Sequence, residues 1–189
     1  FAEVAQAQLP TAIAKVLHER VATWLEPRLH EPGRLAAHWR AAGRDAAAVP
    51  HLLNAAMLAW HAARAEETFD FHAQAAQITL AQGLPDQAFA HWFDNAEAMS
   101  EIGTAAQTAE CLRQLEPLAR TDAQALRLQF VRAVLRAAQG DVDAGFSEVG
   151  SMLADAIALG DTRIEAECRF ASANRATADG DFDEALQHL

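Results

Sequence analysis

Eight histidines, two cysteines and several tight acidic groups are the residues of this chain whose types could support chemistry. Metal binding or acid–base catalysis would be the chemistry to expect of the histidines. None of them sits in an HExxH pair, and no His, Cys or carboxylate set has the compact spacing of a zinc site. His38, His61 and His91 instead adjoin tryptophans, Trp39, Trp60 and Trp92. On a helix, sequence neighbours diverge by about 100°, so such a pair turns the large ring toward a core and leaves the imidazole at its edge. The acidic groups Glu66-Glu67, Asp141 with Asp143, and Asp181 with Asp183 and Glu184 could hold a divalent ion. Each falls at an expected helix start, where carboxylates complement the helix dipole and accept from free backbone N–H groups. Asp179, Asp181 and Asp183 lack the glycine and bidentate glutamate that a calcium loop requires downstream. Thr121-Asp122 and Asp161-Thr162 read as caps in the same way.

Nucleophilic chemistry finds no better support. There is no GxSxG elbow, no catalytic Cys-His signature, no Gly-rich dinucleotide loop and no GxxxxGK[ST] phosphate loop. Cys111 and Cys168 stand alone, which predicts buried, reduced thiols in a cytoplasmic protein. The expectation is a non-enzyme without a cofactor in this chain. A formal charge of −11, with basic residues scattered among acidic ones, argues against direct binding to nucleic acid. Apolar stretches are interrupted well before the length of a membrane span. The start at Phe1, and the few residues of a new helix before Leu189, suggest a piece of a longer polypeptide.

The elements that must carry these residues are helices. Alanine dominates, glycine and proline are scarce within the periodic stretches, and no run alternates in the manner of a strand. Periodicity predicts helices over roughly 10–26, 33–42, 45–65, 67–82, 85–102, 104–119, 122–139, 142–159, 162–179 and from 182 onward. Gly43, Gly83, Gly103, Gly140, Gly160 and Gly180 are the expected stops, and several intervals between them are 20 or 40 residues. Seven residues before Gly43, Gly83, Gly140 and Gly180 lie Ala36, Ala76, Ala133 and Ala173. Five residues after come Ala48, Ala88, Gly145 and Ala185, and nine after come Leu52, Trp92, Val149 and Leu189. Small side chains where two helices cross closely, followed by a large apolar one facing the next pair, are what a stack of helical hairpins requires.

That small, glycine, small, large order resembles the tetratricopeptide helix-turn-helix pattern, with a period nearer 40 than the usual 34 residues. The interval from Gly83 to Gly140 is 57 residues, room for three helices, so the segment 104–119 is either an insertion or a degenerate unit. LHERVATWLE (Leu17 to Glu26) and RLAAHWRAAGRDAAAVPHLLNAA (Arg34 to Ala56) resemble the segment that follows the motor in large bacterial signal-transduction ATPases. These include transcriptional activators of the LuxR-like and antibiotic-regulatory classes. The resemblance implies an all-α fold of antiparallel helix pairs stacked as a right-handed superhelix. It further implies a helical linker over 1–30, a repeat array over 31–189, and a regulatory arm that senses or holds a partner.

Carried over by offset from the turn glycines, the concave positions are Arg34 and Arg40, then Asp70, Gln74 and Gln77, then Arg127 and Phe130, then Glu167, Phe170 and Asn174. Phe130 and Phe170, each ten residues before its glycine, are expected either to floor a shared groove or to pack between helices. The implied partners are a protein or peptide segment, a small inducer, or other domains of the same polypeptide. A small-molecule receptor or an enzyme with a pocket enclosed by the array, and homodimerisation through helical faces, are the alternatives.

Overall fold

The structure is a computed structural model, and it describes residues 10–28 and 31–187. Among these residues the chain is all-helical, with no strand. In order the helices are α1 (Thr11–Leu25), α2 (Pro32–Ala41), α3 (Asp45–His61), α4 (Ala65–Ala81), α5 (Pro85–Ile102) and α6 (Ala105–Leu115), which a 3₁₀ turn, Glu116–Leu118, extends. Then follow α7 (Asp122–Ala138), α8 (Val142–Ser151), α9 (Leu153–Leu159), α10 (Thr162–Asp179) and α11 (Phe182–Gln187). The chain divides into two compact units, Phe1–His91 and Trp92–Leu189, with the division inside α5. The segment expected to be a linker contributes α1, which packs on α2 within the first unit.

One turn recurs through both units. After α2, α3, α4, α7, α9 and α10 the chain makes a pair of backbone bonds, as in Gly43 N–H to Arg40 C=O at 2.8 Å and Arg44 N–H to Trp39 C=O at 2.9 Å. This closure satisfies two orphan carbonyls and needs a left-handed residue just beyond the helix. Gly43, Gly83, Gly140, Gly160 and Gly180 supply it, with φ between +67° and +107°. The sixth residue is Ala63, at φ +53°, which the sequence disguised. An alanine gives no stop signal, so the expected helix 45–65 ends instead at His61. Ala63→Gly should raise the unfolding free energy by about 0.5–1 kcal/mol. The relief of roughly 1–2 kcal/mol of left-handed strain exceeds the added unfolded-state entropy; a urea midpoint at or below the parent's would contradict this.

Gly103 departs from the expected pattern. Its φ is not positive, and α6 starts from a capping box in which Thr104 and Gln107 satisfy each other's backbone N–H groups. The helix expected over 142–159 is broken at Met152, whose N–H bonds Val149 C=O at 3.1 Å instead of the carbonyl four residues back. The preceding Gly150-Ser151 pair, with Ser151 Oγ donating to Glu148 C=O at 2.7 Å, is a recognised cause of such a kink.

The small-small-large register is a packing register. Ala36, Ala76, Ala133, Ala173, Ala48, Ala88 and Ala185 are all buried, as are Leu52, Trp92 and Val149; Leu189 lies outside the described residues. In the first unit Ala36, Ala48, Leu52, Ala75 and Ile78 form the centre of a core, with Trp39, Val49, Leu53 and Phe71 against it. In the second, a Cβ added at Gly145 would fall 2.7 Å from Ala137 Cβ and 2.8 Å from Ala133 O, closer than real side chains pack. The backbones of α7 and α8 meet there. Ala133→Leu should therefore overpack this crossing and cost about 1–3 kcal/mol; an unchanged thermal midpoint would show the crossing to be looser than drawn.

Candidate functional site

The ten residues expected to line a groove fall into one set in each unit. In the first unit, Arg40 on α2 donates from Nη1 to Oε1 of Gln74 on α4 at 2.5 Å and lies 3.9 Å from Asp45. Arg34 is 3.9 Å from Glu31 at the start of α2. Asp70 and Gln77 are exposed on α4, four residues before and three after Gln74, so the three share a face. Arg40 and Gln74 thus join neighbouring helices across that face.

In the second unit the expected set separates. Glu167, Phe170 and Asn174 recur at i, i+3 and i+7 on α10, all exposed, with the Phe170 ring 57% accessible. Phe130, at the same offset from its turn glycine on α7, is only 6% accessible, with its ring centroid 6.2 Å from that of Phe93 on α5. The two rings therefore do not form one exposed floor. Phe130 packs between helices, and Phe170 alone presents an aromatic surface.

Arg127 leads to a constellation that no motif announced. Its Nε donates to Oδ2 of Asp161 at 2.6 Å, and its guanidinium lies 5.3 Å from the Phe93 ring centroid. Arg163 lies 5.1 Å from the same ring, donates to Asp94 Oδ1 at 2.7 Å and pairs with Glu97. Two guanidinium groups thus cover a fully buried ring while three carboxylates hold them. Asp161 also caps α10 by accepting from Ile164 N–H at 3.3 Å, the role its sequence position suggested. Burial opposes ionisation of Asp161, but the bond from Arg127, the Ile164 and Arg163 backbone N–H groups and the Arg127 charge outweigh it and hold its pKa below the usual value. The sequence signals were the FDxxE run from Phe93 to Glu97 and the Asp161-Thr162-Arg163 entry to α10. Neither carries meaning until α5, α7 and α10 are brought together.

The remaining groups read as structural. Burial pushes the Cys111 thiol up to about 12 and the Cys168 thiol, beside Glu167, up to about 11, so neither is a thiolate near neutral pH. Cys168 donates to Val149 C=O at 3.0 Å. Among the described residues no three His, Cys, Asp or Glu side chains could hold a metal ion. His38 meets His18 of α1, Nδ1 to Nδ1 at 3.0 Å, an approach that requires one ring to accept and hence to be neutral. Burial, then the neighbouring His18 and Arg34, lowers the pKa of His38. No helix among the described residues is long and apolar enough to cross a membrane. No protein-family model, curated protein or solved structure matches the chain.

Proposed function

We propose that the chain is a non-catalytic, tetratricopeptide-like scaffold, its antiparallel helix pairs stacked as a right-handed superhelix, that binds a protein or peptide segment or a small inducer. In this reading it is the regulatory arm of a cytoplasmic bacterial transcriptional regulator and passes the bound state to other domains of the same polypeptide. The observation that carries the reading is the stripe on α10, where Phe170 stands 57% exposed between the exposed polar residues Glu167 and Asn174. An aromatic ring held open in a polar rim is the composition of an interface anchor. The raised thiol pKa values and the inward pairing of Arg127 and Arg163 favour a structural use of the groups that could otherwise do chemistry.

Panning a random peptide library on the 189-residue chain tests the reading. Selected peptides should slow backbone hydrogen exchange along α10, and Phe170→Ser should weaken them by about tenfold or more, a loss of about 1.4 kcal/mol, without lowering the thermal midpoint. Equal binding to Phe170→Ser, or protection confined to other helices, would refute it.

A further inference from the structure

The outer face of α1 leaves five large apolar side chains exposed. Ile13, Val16, Leu17, Val21 and Trp24 are exposed at 49%, 52%, 44%, 39% and 60%. At about 100° per residue, Ile13, Leu17 and Trp24 fall within a narrow arc that Val16 and Val21 flank. The opposite side holds the helix in place. Ala22 is fully buried there, His18 meets His38, Glu19 pairs with Arg44 at 3.0 Å, and Glu26 pairs with His51 at 3.1 Å. The apolar stripe therefore points away from α2 and α3, and a row of large apolar side chains left in water marks an interaction surface.

Its charges say what kind of partner fits. Arg20 lies at the edge of that arc, between Ile13 and Val16, and Arg28 sits over the Trp24 ring at 4.8 Å while donating to Trp24 C=O at 2.8 Å. The two carboxylates of this segment, Glu19 and Glu26, are both engaged on the inner side. A chain of net charge −11 thus offers an apolar face whose only charges are positive. A second α1 packed antiparallel about the middle of the stripe would bring the two Arg20 side chains within about one helical turn of each other, and this like-charge approach disfavours self-pairing. An anionic membrane would have to accept the rest of a strongly acidic molecule.

We propose that the outer face of α1 is a docking surface for an amphipathic helix of a partner protein, one whose apolar stripe is flanked by carboxylates. Leucine and alanine of the incoming helix would cover Ile13, Leu17 and Trp24, and its acids would meet Arg20 and Arg28. The surface is separate from the α10 stripe and stands or falls without it.

Two synthetic helices of about 20 residues, with the same Leu/Ala stripe but flanked by Glu in one and Lys in the other, serve as probes. Fluorescence anisotropy should show the Glu helix binding the 189-residue chain at least about tenfold more tightly than the Lys helix at low salt, a gap that narrows as salt is added. Leu17→Ser with Trp24→Ser should abolish binding while circular dichroism stays unchanged. Arg20→Glu with Arg28→Glu should reverse the preference to the Lys helix. Failure of both helices to bind, equal binding of the two, or a preference that does not reverse would overturn the proposal. So would self-association lost on Leu17→Ser with Trp24→Ser, or capture by phosphatidylserine vesicles in place of the Glu helix.

Discussion

Phe130→Ser should destabilise the second unit by about 3–5 kcal/mol, the range for deleting a buried aromatic ring. Phe170→Ser, the same substitution at the same offset from its turn glycine, should stay within about 0.5 kcal/mol of the parent. The Phe130 ring is 6% accessible and lies against Phe93, so its loss leaves a cavity beside a ring that two guanidinium groups already cover. Phe170 is 57% accessible and surrenders little burial. Urea unfolding followed by circular dichroism separates the two variants. Equal midpoints would mean that the environments of the two rings do not differ as the structure has them.

Arg127→Ala should cost about 2–5 kcal/mol at neutral pH, because it removes the guanidinium partner of a carboxylate that is 3% exposed and leaves it only backbone donors. Arg175→Ala, which opens a pair whose members are 51% and 65% exposed, should cost less than about 1 kcal/mol. The deficit of Arg127→Ala should also depend on pH in one direction. Asp161 is held below its ordinary pKa in the folded chain, so its contribution is complete above the unfolded carboxylate range, about 3.9, and is lost as pH falls through the lower folded value. The gap between parent and variant should therefore be widest near neutrality and close below about pH 4. A gap that stays constant down to acid pH would show that Arg127 acts through its packing over Phe93 and not through its charge.

Much of this molecule was legible before any coordinates. Helix positions follow from apolar periodicity, from alanine's low cost in a helix and from glycine at the turns, all of which act over a few residues. The caps at Thr121 and Asp161 bind backbone N–H groups three positions on and could be read locally, whereas Asp141, expected to cap α8 in the same way, makes no side-chain cap bond, and the capping box at Thr104 was hidden at the first residue of an expected helix. The alanine-glycine register was legible for a related reason: a close crossing leaves no room for anything larger, and that demand repeats with the turn.

Tertiary structure decided the rest. Ala63 adopts a turn conformation that its side chain disfavours, held there by the two backbone bonds that close the turn and by the packing of α3 on α4. Phe130 and Phe170 stand at the same offset before a turn glycine, yet Phe130 meets Phe93 while Phe170 meets water; spacing within a helix says which face a side chain is on, not what lies opposite. Arg127, Arg163, Asp94, Glu97 and Asp161 come together from segments as much as 69 residues apart, and no local pattern encodes a pairing at that range. On α1 the sequence predicted only a helix, and the folded chain showed that the face turned outward is an apolar one. Local rules set where the chain turns and which side chains are small; long-range contacts set which of the large ones are covered.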